Sequence, residues 1–273
     1  MNDNPLGKTT EYKSSYDASL LFPIPRAVAR DQIGIDASRF SGHDIWNCHE
    51  LGWLNAKGKP LVRRLRLVYS ADSRCIVESK SLKLYLGSFL MSRFADEATV
   101  QVTIERDLAA ILGAGRLAVT LLDWPELIRL SPIDHRCLID DLDIACDHYD
   151  LDALLLVAES SAEITEQRLV SNLLKTNCPI TNQPDWATVC INYRGRKVLD
   201  RASLLKYLVS YREHGDYHEV CCENIFSDLL AVLEPEMLAV KCFFTRRGGI
   251  DINPCRFYGM APDSDYDERY WRQ

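Results

Sequence analysis

Two stretches of this chain repeat one another without a gap, and the repeat limits the fold more than any other feature. Ile104-Glu-Arg-Asp-Leu-Ala-Ala-Ile-Leu112 leads on to Leu117-Ala-Val119, and Ile225-Phe-Ser-Asp-Leu-Leu-Ala-Val-Leu233 leads on to Leu238-Ala-Val240. Ile104 aligns with Ile225, Asp107 with Asp228, Leu108 with Leu229 and Leu112 with Leu233. A looser echo links Ser81-Leu82 and Tyr85-Leu86 with Ser203-Leu204 and Tyr207-Leu208. Two amphipathic helices can look alike by chance. The shared exit strand favours two tandem modules of one fold.

Within the first module, 62–122 reads as strands around a helix. Arg64 to Val68 is β-rich, Ala98 to Ile104 alternates as a half-buried strand, Arg106 to Leu112 ends a helix near Gly113, and Leu117 to Leu122 is a strand. A connector from Asp123 to Asn172, broken by Pro125 and Pro132 and rich in Asp, joins the modules. Ser160 to Leu174 reads as a helix with Glu163 and Glu166 near its start and Lys175 at its end. Cys190 and Cys242 fall within apolar strands, and Val220 to Cys222 reads as another strand. Parallel βαβ units would need more helices between strands, so the class is α+β with antiparallel sheets. The division is 1–150 for the first module with its connector and 151–273 for the second.

A chain of 273 residues can bury a sizeable core. A net charge of -7 argues against broad contact with nucleic acid or anionic membranes, while leaving room for a local phosphate pocket. The apolar run Leu151 to Ala158 is far shorter than the ~20 residues of a spanning helix. The polar N-terminus has no apolar signal core, so a cytoplasmic protein is expected.

The ten cysteines form no CxxC pair and no zinc-finger spacing, so free thiols are the default. One has a setting of its own. Cys178 lies in Lys175-Thr-Asn-Cys-Pro-Ile-Thr-Asn-Gln-Pro-Asp185, where two prolines fix the backbone and polar side chains surround the thiol. If that loop folds back, Cys178 and Asp185 face one substrate atom as nucleophile and proton donor. An inert surface loop with a turn-capping Asp fits the composition equally well. Tyr217-His218-Glu219 offers an acid or donor in His218 and a two-oxygen fork for N–H groups in Glu219, against a solvated loop pair. Thr245-Arg-Arg-Gly-Gly-Ile-Asp-Ile-Asn-Pro254 offers arginines and bare backbone for phosphate, against a hairpin with solvated arginines.

Taken together, these segments resemble one family. Val77-Glu-Ser-Lys-Ser-Leu-Lys-Leu-Tyr85 is similar to the signature of the 7-cyano-7-deazaguanine reductase (QueF) family, Cys178-Pro-Ile-Thr-Asn-Gln-Pro-Asp185 resembles its catalytic cysteine loop, and His218-Glu219 and the TRRGGIDINP stretch also fit. The resemblance spans nearly the whole chain and matches the two-module form, with the signature in the first module and the cysteine loop and His-Glu in the second. The position echoing the signature is Leu199-Asp-Arg-Ala202. Each half therefore carries part of a site.

The resemblance implies the tunnelling fold, with helices packed on one face of antiparallel sheets, and a homodimer. It implies reduction of the nitrile of 7-cyano-7-deazaguanine to the 7-aminomethyl compound in tRNA queuosine biosynthesis, through a Cys178 thioimide protonated by Asp185, with His218 as second acid or orienter. Four electrons require two NADPH and no metal. Val77, Glu78, Ser79, His218 and Glu219 would hold the deazapurine. Ser79, Lys80, Arg247 and Gly248 would hold NADPH, with help from Lys83. No direct nucleic-acid or membrane partner is implied.

Gly113-Ala-Gly115-Arg-Leu-Ala118 mimics a dinucleotide fingerprint, but it follows a helix and opens a strand, the reverse of what a Rossmann site needs. Asn47-Cys48-His49 and Cys221-Cys222 lack catalytic-zinc spacing. Two rival functions use the same residues. One is a cysteine hydrolase of a purine-like nitrile or amide, for which only Lys175 is near enough to serve as the lysine partner. The other is a non-catalytic binding protein of the same fold.

Overall fold

A computed structural model describes residues 12–123 and 130–273. The polar N-terminus up to residue 11 and Pro125 of the connector lie outside the described residues. The elements in order are β1 (Pro23–Pro25), α1 (Arg26–Ile33), β2 (Ser41–Leu54), β3 (Pro60–Ser70), β4 (Cys75–Val77), α2 (Ser79–Gly87), α3 (Glu97–Leu112), β5 (Leu117–Leu122), β6 (Ala158–Asn177), β7 (Pro184–Leu199), α4 (Arg201–Ser210), α5 (His218–Leu233), β8 (Met237–Phe244) and β9 (Ile250–Tyr258). The class is α+β, and the strand pairings between named strands described below are antiparallel. Among the described residues no helix is long and apolar enough to cross a membrane.

The chain divides into two compact units. The first draws its described residues from 12–32, 44–123 and 246–251, the second from 33–43, 130–245 and 252–273. In the first, β5, β3 and β2 are successive neighbours and β1 pairs with β4. In the second, β9, β8, β7 and β6 follow one another. There, alternation along β7 sends Ala187, Val189, Ile191 and Tyr193 into one core with Leu204, Leu208, Ile225, Phe226 and Leu229 of α4 and α5. The opposite face of the same strands sends Val170, Cys190 and Phe243 against Tyr270 and the connector residues Ile133, Cys137 and Leu138. Both helices therefore pack on one face, and the connector and chain end cover the other.

The same bonds recur in each unit. Tyr85 donates to Asp107 at 2.7 Å and Tyr207 to Asp228 at 2.6 Å. Ser81 Oγ bonds the Glu78 carbonyl at 2.7 Å, and Ser203 Oγ the Asp200 carbonyl at 2.8 Å. Those serines in turn accept from the Phe22 and Val157 N–H groups at 3.0 and 3.1 Å. The pairing Pro23↔Val77, Pro25↔Cys75 is repeated by Ala158↔Leu199, Ser160↔Lys197. Gly113 ends α3 at φ 57, and Glu234 ends α5 at φ 44, so the second unit holds a non-glycine in a left-handed cap.

Three expected elements differ. Ala98 to Ile104 is helical, part of α3. Asp96 caps it by accepting from Thr99 N at 2.8 Å, and Val100, Ile104, Leu108 and Leu112 form a fully buried stripe at fourfold spacing. Val102, which completed the apparent strand alternation, is 62% exposed. Ser160 to Leu174 is strand, not helix, because it pairs along β7. A register shift between Ser171 and Leu174 puts Leu169 and Leu174, an odd number of residues apart, into the same core and so breaks the strand's period of two. Val220 to Cys222 belongs to α5, where Cys221, Cys222, Ile225, Phe226, Leu229 and Leu233 continue one buried helical face.

Candidate functional site

In the second unit the hairpin β6–β7 carries the cysteine loop at its tip. The ladder closes with Asn177↔Pro184 and Thr176↔Asp185. Beyond it, Cys178 N donates to Gln183 O at 2.8 Å and Asn182 N to Cys178 O at 3.0 Å. Asn182 takes φ 54, a left-handed turn that asparagine tolerates. Side chains opposite one another on paired strands share a face, so Thr176 and Asp185 are set to one side, with Cys178 in the turn just beyond the last pair. The fold-back required of this loop is supplied by the hairpin.

The segment before α5 anchors the tip. Asn177 N donates to His214 O at 2.8 Å and Asp216 N to Asn177 O at 3.2 Å. This brings the first turn of α5 to the hairpin. His218 Nε2 lies 3.4 Å from Asp185 Oδ2, with side chains only 14% and 5% exposed. Glu219, next on the helix, is 3% exposed. Lys175 donates to the Arg212 carbonyl at 2.5 Å, so its amine is engaged by main chain.

Burial separates Cys178 from most other thiols. Cys48, Cys221, Cys242 and Cys255 are enclosed, and desolvation drives each thiol far above its ordinary value. Burial pushes Cys190 up to about 12. Cys178 is only half-buried.

In the first unit Glu78 caps α2. Its Oε1 accepts from Lys80 N at 2.7 Å and its Oε2 from Ser81 N at 2.6 Å. Burial raises its pKa, opposed by those two N–H bonds and by Lys83. Val77 and Glu78 are both 1% exposed, and Ser79 and Lys80 are half-buried. The corresponding residue of the second unit, Asp200, caps α4 by accepting from Ser203 N at 2.7 Å. Sequence reasoning assigned Glu78 to the ligand alone and missed the cap.

The turn between β8 and β9 holds Arg247 and Gly248. Gly248 has φ 57, and a Cβ there would sit 3.2 Å from Lys83 Cε and 3.5 Å from its Nζ. The turn is pinned by His49 N donating to Gly249 O at 2.9 Å. Asn47 and His49 bond the two oxygens of buried Asp251 at 2.8 and 2.7 Å, so both side chains serve the strand-to-turn junction. Among the described residues no group of three or more His, Cys, Asp or Glu side chains is gathered as a metal site would require. Gly113 to Arg116 joins α3 to β5 as a turn, and Ala118 already lies in β5. Lys83 and Arg247 at a turn where a Cβ on Gly248 would crowd the lysine, with Lys80 on the first turn of α2, fit a phosphate-bearing cofactor.

The structure thus gathers Cys178, Asp185, His218 and Glu219 in one unit and Val77, Glu78, Ser79, Lys80, Lys83, Arg247 and Gly248 in the other. One contact had no sequence signal. The Phe244 ring stacks on His218 with centroids 3.8 Å apart and planes 11° apart. It becomes visible only once β8 is registered on β7, with Phe244 opposite Ala187.

A family profile described as nitrile reductase, 7-cyano-7-deazaguanine-reductase N-term, matches residues 12–121, and one described as QueF-like protein matches 184–262. A protein of Dechloromonas aromatica (strain RCB) named NADPH-dependent 7-cyano-7-deazaguanine reductase is 48% identical over 97% of this chain and 95% of its own length. One of the same name from Burkholderia multivorans (strain ATCC 17616 / 249) is 50% identical over 96% of each chain. The crystal structure of the archaeosine synthase QueF-Like in the apo form is 21% identical and covers 37% of this chain and 99% of its own, with a TM-score of 0.33 too low to carry an argument.

Proposed function

The chain belongs to the family of NADPH-dependent 7-cyano-7-deazaguanine reductases, and on that premise we propose that it reduces the nitrile of 7-cyano-7-deazaguanine to a primary amine. The observation that carries the reading is the meeting of Asp185 and His218 beneath the hairpin tip that presents Cys178.

Cys178 is the nucleophile. Its sulfur bonds the nitrile carbon, and the nitrogen takes a proton from Asp185, giving a thioimide. This divides one difficult reduction into easier steps. NADPH supplies hydride, two equivalents for the four-electron change. The first reduction also adds a second proton at nitrogen. The carbon–sulfur bond then breaks, returning the thiolate and leaving a protonated imine that takes the second hydride to give the amine. A single carboxyl must be recharged between protonations, and His218 is the titratable group beside it. Positioned acid catalysis of this kind contributes on the order of 100- to 10,000-fold.

Glu219, Glu78, Val77, Ser79 and His218 hold the deazapurine. The carboxylates accept from its N–H edge, and an analogue lacking those donors would strand buried acceptors. Ser79, Lys80, Lys83, Arg247 and Gly248 hold NADPH. The same family reading carries a cytoplasmic homodimer of the tunnelling fold, built from modules 1–150 and 151–273, needing no metal and serving queuosine formation without direct nucleic-acid or membrane contact.

NADPH oxidation with the cyano substrate, combined with product mass, checks the proposal. Two NADPH should be consumed for each aminomethyl product. Ammonia release without NADPH consumption would point to the hydrolase, and tight binding without turnover to the binding protein.

A further inference from the structure

We propose that Phe244 is a positioning residue for the Asp185–His218 pair, an inference that rests on the reductase reading. An imidazole is located by two things, the direction of its reactive nitrogen and the plane of its ring. Asp185 fixes the first, 3.4 Å from Nε2. It leaves the plane open, because the terminal torsion of histidine is broad and roughly twofold. Phe244 closes that freedom, lying almost parallel to the imidazole at 3.8 Å.

Phe244 is itself immobilised. Its side chain is fully buried. It stands opposite Ala187 in the ladder, two residues beyond Asp185, so the strand that carries the acid also sets the ring. The adjoining Thr245 N donates to Trp186 O at 2.8 Å, and the Phe244 carbonyl accepts from Gln273 Nε2 at 3.2 Å. Asp185, His218 and Phe244 therefore share one rigid frame.

The other ring nitrogen sharpens the inference. His218 Nδ1 is buried with no hydrogen-bond partner among the described residues. Nothing on that side orients the imidazole, so the stack is the second constraint. It also leaves Nε2 as the nitrogen that meets a protein acid. With the plane held, His218 returns a proton to Asp185 between the two protonations. With the plane free, Nε2 swings off the carboxylate.

The experiment uses full-length enzyme carrying Phe244→Met, of similar bulk and no aromatic face, and Phe244→Tyr, which keeps the face. Wild-type turnover is established first, so that loss of the reductase reading itself is distinguished from loss of this inference. The expected result for F244M is a fall in kcat on the order of 10- to 100-fold. KM for NADPH should stay within about threefold and the Cys178 adduct should still form, since the cofactor touches neither Phe244 nor His218 in this account. F244Y should restore most of the rate. An independent readout keeps the idea falsifiable even if F244Y does not fold. The His218 ring protons should show an upfield ring-current shift in wild type that F244M removes. Unchanged kcat in F244M, a loss carried by KM alone, or wild-type His218 resonances lacking the shift would each overturn the proposal.

Discussion

Replacing Glu78 by alanine removes more than a ligand contact. Both carboxylate oxygens accept from the first turn of α2, at 2.7 and 2.6 Å, and Ser81 is fully buried, so water cannot substitute at its N–H. Losing an N-cap costs about 0.5–2 kcal/mol, and a stranded buried donor lifts the loss toward the upper end, about 2 kcal/mol. For a chain of this size that is a drop of roughly 4–8 °C in Tm. Glu78→Asp separates the cap from the ligand. Asp200 shows that a shorter carboxylate reaches the i+3 amide, accepting from Ser203 N at 2.7 Å. Glu78→Asp should therefore melt within about 2 °C of wild type, while its carboxylate retracts by one bond, about 1.5 Å. A weakened charged hydrogen bond to substrate is worth about 1.5–3 kcal/mol, or roughly 10- to 150-fold in KM for the cyano compound. Thermal melts and steady-state kinetics on the two variants decide it. Equal destabilisation by Asp and Ala, or no melting change in Glu78→Ala, would refute the capping argument.

Three further outcomes follow from the geometry. Gly248→Ala forces a Cβ to 3.2 Å from Lys83 Cε at φ 57, so KM for NADPH should rise at least several-fold with KM for the nitrile unchanged, and an unaltered KM for NADPH would detach the turn from the cofactor. Burial raises the Asp228 carboxyl, so in the window between the ordinary Asp value near ~3.9 and its raised value the native state keeps a proton that the unfolded chain has released. Wild-type stability should therefore decline relative to Asp228→Asn as pH climbs through that window, and a difference that is flat or grows would contradict the burial. Lys175→Met should retain turnover within a few-fold, since its ammonium serves the Arg212 carbonyl, whereas a loss of several orders would revive a lysine-assisted hydrolase.

Much of this was legible because several side chains carry their meaning locally. The repeat around Asp107 and Asp228 marked helices that prove to hold the same tyrosine bond. Gly113 marked a left-handed stop. Cys178 stood out by its prolines and polar neighbours, and Asp185 by its spacing across what is a hairpin. The misread elements failed where tertiary context overrides local pattern. Val102 is β-branched yet faces solvent on a helix whose stripe decides the matter, and the register shift after Ser171 interrupts the alternation by which a strand is read. The cap made by Glu78 was hidden because glutamate is an uncommon N-cap and α2 had no clear periodic start. The Phe244 stack depends on long-range register, which no local window contains.

Intact mass of the reduced protein incubated with 7-cyano-7-deazaguanine in the absence of NADPH addresses the central claim most directly. Addition of a thiol across a nitrile loses no atoms, so the account predicts a gain of one whole substrate mass per chain, mapped to the peptide containing Cys178 and absent from Cys178→Ala. An adduct that survives in Cys178→Ala, or that maps to a different cysteine, would contradict it.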